Sequence, residues 1–116
     1  MTPEGRVKQK VKEILGEYPG LYYYMPVQTG FGQTSLDFIG CYAGRFFAVE
    51  TKREGKKPTL KQLETIERMQ TAGAQTFVIV GEDDVALASL SLWLEALRPS
   101  HDSARVPPPP RPRSAV

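Results

Sequence analysis

With 116 residues, 41% of them hydrophobic and 24% charged, the chain has the composition of one soluble globular domain and no room for a second. No apolar run approaches the ~20 residues that span a bilayer. The N-terminal stretch reads as too charged for a secretory signal, and a lone cysteine, Cys41, excludes an internal disulfide and suits a reducing cytoplasm. The net charge of +2 hides an asymmetry: residues 1–61 carry ten Lys/Arg against six Asp/Glu, residues 62–97 carry Arg68 alone against six acids, and residues 98–116 add four Arg against one Asp. The positive charge lies in the first half and in the tail, as a polyanionic partner would require, although scattered surface lysines give the same count.

Val7, Val11, Ile14, Leu15 and Tyr18 recur at helical spacing and predict a helix over 5–18, opened by Pro3-Glu4 and stopped by Pro19-Gly20. The aromatic run from Leu21 to Pro26 predicts a strand. Residues 29–35 read as a glycine-containing loop. Leu36–Tyr42 and Arg45–Thr51 read as two strands joined by a two-residue turn at Ala43-Gly44, where Asn-Gly would be the better turn former. After a basic loop from Arg53 to Pro58, Thr59 caps a helix with Leu60, Leu63, Ile66 and Met69 on one side, closed by Gly73. Gln75–Val80 reads as a buried strand. Asp83 or Asp84 caps a last helix in which Ala86, Leu90, Trp93 and Leu97 share a face.

Beyond Leu97 the periodicity stops, and the proline run from Pro107 to Arg113 predicts an extended tail. The expected fold is therefore α/β, a mixed sheet in the order α-β-β-β-α-β-α over residues 1–97, followed by a disordered Pro/Arg-rich tail over 98–116. The strand–helix–strand stretch from Arg45 to Val80 implies a parallel pairing.

Carrying the hairpin register through the turn pairs Tyr42 with Arg45, Cys41 with Phe46, Ile39 with Ala48 and Asp37 with Glu50. Asp37, Ile39, Cys41, Phe46, Ala48, Glu50 and Lys52 then share one sheet face, and Phe38, Phe47 and Val49 point into the core. Two carboxylates about 5 Å apart either share a proton or hold a cation between them. Lys52 supplies one positive charge on the same face, and the rest suits Mg²⁺ or Mn²⁺ bound through oxygen ligands. The plainer alternative is a hairpin with a surface Glu-Lys pair and an unrelated aspartate.

Other chemistries fit poorly. His101, the only histidine, lies in the tail, so Ser35 has no base, and one Cys with one His cannot build a zinc site. Cys41 reads as a core residue rather than a nucleophile. Gly30 and Gly32 are followed by no helix, which argues against a dinucleotide site.

Taken together, Asp37, Glu50-Thr51-Lys52 and Gln62 resemble the PD-(D/E)xK nuclease core. The segments from Glu4 to Lys8, Thr29 to Gly32, Leu36 to Cys41, Gly44 to Lys52 and Pro58 to Gln62 are similar, more narrowly, to small free-standing VRR-NUC (virus-type replication-repair nuclease) domains. The likeness extends over residues 4–80. Leu36 stands where the motif has proline.

The resemblance implies a restriction-endonuclease-like core. It implies Asp37, Glu50 and the Thr51 backbone carbonyl as ligands of Mg²⁺ or Mn²⁺, with Glu4 as a further acid of the site. Lys52 would act on the attacking water and the phosphate, and Gln62 would hold that water or a phosphate oxygen. Plainer roles stay open for Glu4, as a helix N-terminal charge, and for Gln62, as a surface residue. Arg6, Lys8, Lys12, Lys56, Lys57 and Lys61 become candidate DNA phosphate contacts, and Gly30 and Gly32 would let the DNA backbone approach Asp37.

The family likeness further implies a cytoplasmic endonuclease of bacterial or phage type, acting on branched or four-way DNA as a homodimer. Tyr22-Tyr23-Tyr24 would then lie either in the dimer interface or in the core. Two alternatives remain: a catalytically silent DNA-binding module within a larger assembly, and an interaction function centred on the polyproline tail.

Overall fold

The structure, a computed structural model, describes residues 1–27 and 35–99. Gly30, Gly32 and the tail from residue 100 onward lie outside the described residues. Helix α1 spans Pro3–Gly16, strand β1 Tyr22–Tyr24, β2 Phe38–Tyr42, β3 Arg45–Lys52, helix α2 Leu60–Thr71, β4 Gln75–Val80 and α3 Asp84–Leu97. The sheet order is β1-β2-β3-β4. The first two pairings are antiparallel, and β3–β4 is parallel across the α2 crossover. The predicted order and the mixed sheet are both present. Among the described residues no helix is long and apolar enough to cross a membrane.

Each helix starts on a side-chain cap. The Thr2 hydroxyl accepts the Gly5 N–H at 3.0 Å, with Pro3 in the first turn of α1. Asp83 accepts the Val85 N–H at 3.0 Å and opens α3. Helix α1 stops at Gly16, before the predicted end at residue 18, and Glu17 forms its C-cap. Tyr18 is nonetheless buried. Its ring meets Tyr42 edge-on with centroids 5.6 Å apart, and its hydroxyl donates to Glu95 Oε2 of α3 at 3.0 Å. A helical spacing and a tertiary contact give the same apolar signal at that position, so periodicity alone overextends the helix.

The sheet divides the core in two. On one face, Phe38, Tyr42, Phe47 and Val49 pack with Val7, Val11 and Leu15 of α1 and Leu87, Leu90 and Leu94 of α3. On the other, Leu36, Ile39 and Ala48 meet Ile66 of α2, with Met69 beside them. This second layer is thin. Leu60 and Leu63, predicted to face inward, are 79% and 47% exposed. Cys41, predicted in the core, is exposed as well. The reason is shared: Ile66 is the one buried residue of α2, so the helix meets the sheet over a narrow contact, and Leu60, Leu63 and Cys41 fall outside it.

The hairpin register is the predicted one, from Phe38↔Val49 to Tyr42↔Arg45. It turns through Ala43 at φ 50° and Gly44 at φ 78°, the left-handed pair that a tight two-residue hairpin needs. A β-carbon at Gly40 would stand 2.6 Å from both the Tyr22 carbonyl oxygen and Phe47 Cζ, so glycine there lets β1 close onto β2.

Two stability outcomes follow. Ala43→Asn relieves the left-handed strain and should stabilise by roughly 0.5–1 kcal/mol, a rise of several degrees in Tm by thermal melting. Gly40→Ala should cost about 1–3 kcal/mol in the same assay, because the Tyr22 backbone must retreat.

Candidate active site

Asp37 sits at a bend immediately before β2, and its position departs from simple alternation. Leu36 lies in the α2-side cluster although it is two residues before Phe38, which lies on the α1 side. The pleat therefore breaks at the bend, and the Asp37 carboxylate turns onto the end of β3. Its Oδ2 accepts two hydrogen bonds from Thr51, from the backbone N–H at 2.9 Å and from the hydroxyl at 2.7 Å. Asp37 is thus held by the residue after Glu50, not simply set opposite Glu50 across a regular ladder.

Glu50 is buried, its side chain 1% exposed, within the strand that runs through the middle of the protein. Lys52, two residues on and on the same face, brings its Nζ to 3.3 Å from Glu50 Oε2. The other oxygen, Oε1, is buried without a hydrogen-bond partner among the described residues. A carboxylate so placed is costly. Burial pushes the Glu50 carboxyl up to about 7, and the negative charge of Asp37 adds to this. The Lys52 ammonium, and more weakly the Asp37 backbone amide, pull the other way. The sequence-derived pair of acids is therefore real in its electrostatics.

Two residues join the site in roles beyond those read from the sequence. Lys8 of α1 reaches Asp37 Oδ1 at 3.9 Å, so one predicted phosphate contact is a neighbour of the acid itself. The Thr51 hydroxyl, rather than only its backbone, anchors Asp37. Alternation supplies the signal that could have found it. Thr51 shares the α1 face with Phe47 and Val49, and Lys8 stands beside Val7 on the helix covering that face.

The Thr51 carbonyl is also placed usefully. A strand residue's N–H and C=O lie on the same side, and the N–H of Thr51 points to Asp37. The next carbonyl, of Lys52, turns the other way and accepts from Gly81 N–H at 2.7 Å.

Gln62 has a structural task. Its Oε1 accepts the Thr59 N–H at 2.9 Å, and its own N–H donates to the Thr59 hydroxyl at 3.2 Å, a complete capping box. The Thr-x-x-Gln spacing announces that box, and only the side-chain amide nitrogen is left to face a water or a phosphate. Glu4 lies in the first turn of α1, one turn before Lys8. It does not form a close group with Asp37 and Glu50: among the described residues no three Asp, Glu, His or Cys side chains gather as a metal cluster.

Of the basic candidates, Lys12 stands one turn beyond Lys8 on α1, whereas Arg6 projects from another side of that helix. Arg6, Lys12, Lys56, Lys57 and Lys61 are exposed, the last three flanking Lys52 along the loop and the start of α2.

The donors present fit a hard divalent cation: Asp37 and Glu50 oxygens, one of them buried and unpartnered, with the Thr51 carbonyl on the same side. The raised Glu50 gives a test of the metal-free protein. A carboxyl held at about 7 when folded and near 4.5 when unfolded binds its proton more tightly in the folded state. Stability is therefore full below about 4.5 and lost as pH rises through about 7, by roughly 3 kcal/mol at most. Urea unfolding across that window should show this slope, and Glu50→Gln should flatten it. At pH 7, Mg²⁺ or Mn²⁺ should raise the Tm of the parent chain and leave Asp37→Asn unmoved.

Comparison with known proteins bears on the fold and the family. No family profile matches the sequence, and no curated protein matches it. Among solved structures, a VRR_NUC domain superposes with a TM-score of 0.63 at 30% identity, covering 78% of this chain and 95% of that one. The likeness takes in nearly all of the other domain at an identity above that of fold resemblance alone, and the chain belongs to the VRR_NUC domain family.

Proposed function

We propose that this chain is a metal-dependent DNA endonuclease that hydrolyses phosphodiester bonds in branched or four-way DNA, acting in the cytoplasm as a homodimer. The observation that carries the reading is the buried, unpartnered Oε1 of Glu50 beside Asp37 and Lys52. A protein gains nothing in stability from an orphaned carboxylate oxygen in its central strand, whereas a cation site needs one.

Mg²⁺ or Mn²⁺ bound there would neutralise charge at the phosphate and acidify a water. The chain's own groups do the rest. Asp37 and Glu50 present the oxygens, and Thr51 and Lys8 hold Asp37 in place. Lys52, whose ammonium lies 3.3 Å from Glu50, would orient the attacking water and stabilise the extra negative charge on phosphorus. Water oxygen bonds to phosphorus and gives up a proton to solvent, the bond from phosphorus to one sugar oxygen breaks, and that oxygen takes up a proton from solvent. The amide nitrogen of Gln62 can donate to the water or a phosphate oxygen while its Oε1 keeps the helix cap.

Lys56, Lys57, Lys61 and Lys12 are exposed and suit sequence-independent phosphate contacts. Selectivity for branched DNA and the dimer rest on the family likeness: symmetric cutting of a junction needs two sites related by a two-fold axis. A catalytically silent DNA-binding module, the competing reading, has no use for an intact Asp37, Glu50 and Lys52.

Digestion of nicked, flapped, four-way and linear DNA with Mg²⁺ or Mn²⁺ tests the proposal. The branched substrates should be cut, and Asp37→Ala or Lys52→Ala should lower the rate at least about a hundredfold with DNA affinity retained. Cutting unchanged in those variants, or DNA binding with no cutting by the parent chain, rejects it.

A further inference from the structure

Two ammonium groups stand beside the two acids of the site, and their contacts differ. Lys52 Nζ lies 3.3 Å from Glu50 Oε2, with the lysine side chain 16% exposed and the acid buried. The Lys52 backbone is clasped to Gly81. Lys8 Nζ lies 3.9 Å from Asp37 Oδ1, with side chains 32% and 15% exposed. At that distance the second contact is an ion pair without a hydrogen bond. It also comes from helix α1 rather than from the sheet, on a flexible four-carbon stem.

The two oxygens of Asp37 are unequal as well. Oδ2 accepts both bonds from Thr51, at 2.9 and 2.7 Å, and these occupy its lone-pair directions. Oδ1 carries neither bond and meets the Lys8 ammonium instead. The Thr51 bonds thus leave Oδ1 as the Asp37 oxygen for a cation, and that is the oxygen Lys8 neighbours.

Charge then forces a choice. With both acids ionised, two carboxylates and two ammoniums balance, and a divalent ion adds two positive charges in the same small space. One ammonium has to give way. Lys52 is the closer, the better buried and the better tethered. Lys8 makes the longer and more exposed contact, on the oxygen that an ion would take.

We infer that Lys8 holds the place of the divalent ion on Asp37 in the metal-free chain, leaves it when the ion binds, and then pairs with a phosphate of the nucleic acid. The inference rests on the nuclease reading above. Thr51 alone keeps the carboxylate aimed after the exchange. The same ammonium opposes the metal while no substrate is present and attracts the substrate once the metal is in. Metal and DNA are thereby coupled, because each favours the position of Lys8 that the other needs.

Lys8→Met keeps a long side chain and removes the charge. Mn²⁺ titrated calorimetrically into the full-length protein should bind this variant at least about fivefold more tightly than the parent. Lys10→Met removes the same charge about 200° round the helix and should bind Mn²⁺ as the parent does. Lys8→Gln serves as a second variant, and circular dichroism like the parent's verifies each fold. DNA binding supplies the other half. With Ca²⁺ in place of Mg²⁺ and four-way DNA, the parent's slope of log affinity against log salt should be steeper than that of Lys8→Met by about 0.9, one phosphate contact. Without a divalent ion the two slopes should agree. Equal or weaker Mn²⁺ binding by both Lys8 variants, beside a parent that binds Mn²⁺ and cuts DNA, overturns this inference and leaves the nuclease reading standing. So does a slope difference of the same size with and without the ion, which makes Lys8 a permanent phosphate contact. A parent that neither binds Mn²⁺ nor cuts DNA overturns both.

Discussion

The left-handed turn at Ala43-Gly44 sets the register of β2 on β3, and nearly every other placement follows from it. A slip of β3 by one residue would turn Phe47 and Val49 out of the α1–α3 core and bring Ala48 into it. It would also carry Glu50 from the α2 side of the sheet to the side where Thr51 now meets Asp37. The turn accepts strain at Ala43, where φ is 50°, and the burial of two aromatic rings and a valine on one face outweighs it.

Within that frame the site is held from three directions. Thr51 fixes Asp37 from the strand, Lys8 approaches it from α1, and Lys52 stands over Glu50 from the same strand. Each acid thus has its own cation, and the two acids are separated by what they bind rather than by distance alone. The arrangement leaves negative charge incompletely compensated, and the upward shift of Glu50 measures that imbalance. A fold selected only for stability would fill such a position with an apolar side chain.

The sequence makes the hairpin, the capped helices and the parallel crossover legible, because each rests on local chemistry: a turn former, an N-cap, a change of hydrophobic period. It also shows Asp37, Glu50 and Lys52 as neighbours, since strand alternation extends through a known turn. What stays hidden depends on how layers sit on one another. Leu60 and Leu63 carry the helical signal of a buried face, yet α2 buries only Ile66 against the sheet and leaves them exposed. Cys41 has the parity of a core residue and the exposure of a surface one for the same reason. Lys8 cannot be assigned to Asp37 from the chain, because helix α1 and the bend meet only in the folded core. Gln62 is a different case: its capping-box spacing is visible in the sequence, but a candidate catalytic role draws attention away from it.

The bond from Gly81 N–H to the Lys52 carbonyl, 2.7 Å long, closes the far end of β3 onto the residue that follows β4. Its consequence concerns variation. The backbone of Lys52 is tied to a neighbouring strand, so the position of the ammonium does not rely on the Gly- and Lys-rich loop that comes next. Residues 53–58 can therefore change length or charge while the Lys52 ammonium keeps its place beside Glu50. The basic loop and the acid–lysine pair, adjacent in sequence, are mechanically uncoupled by a single clasp.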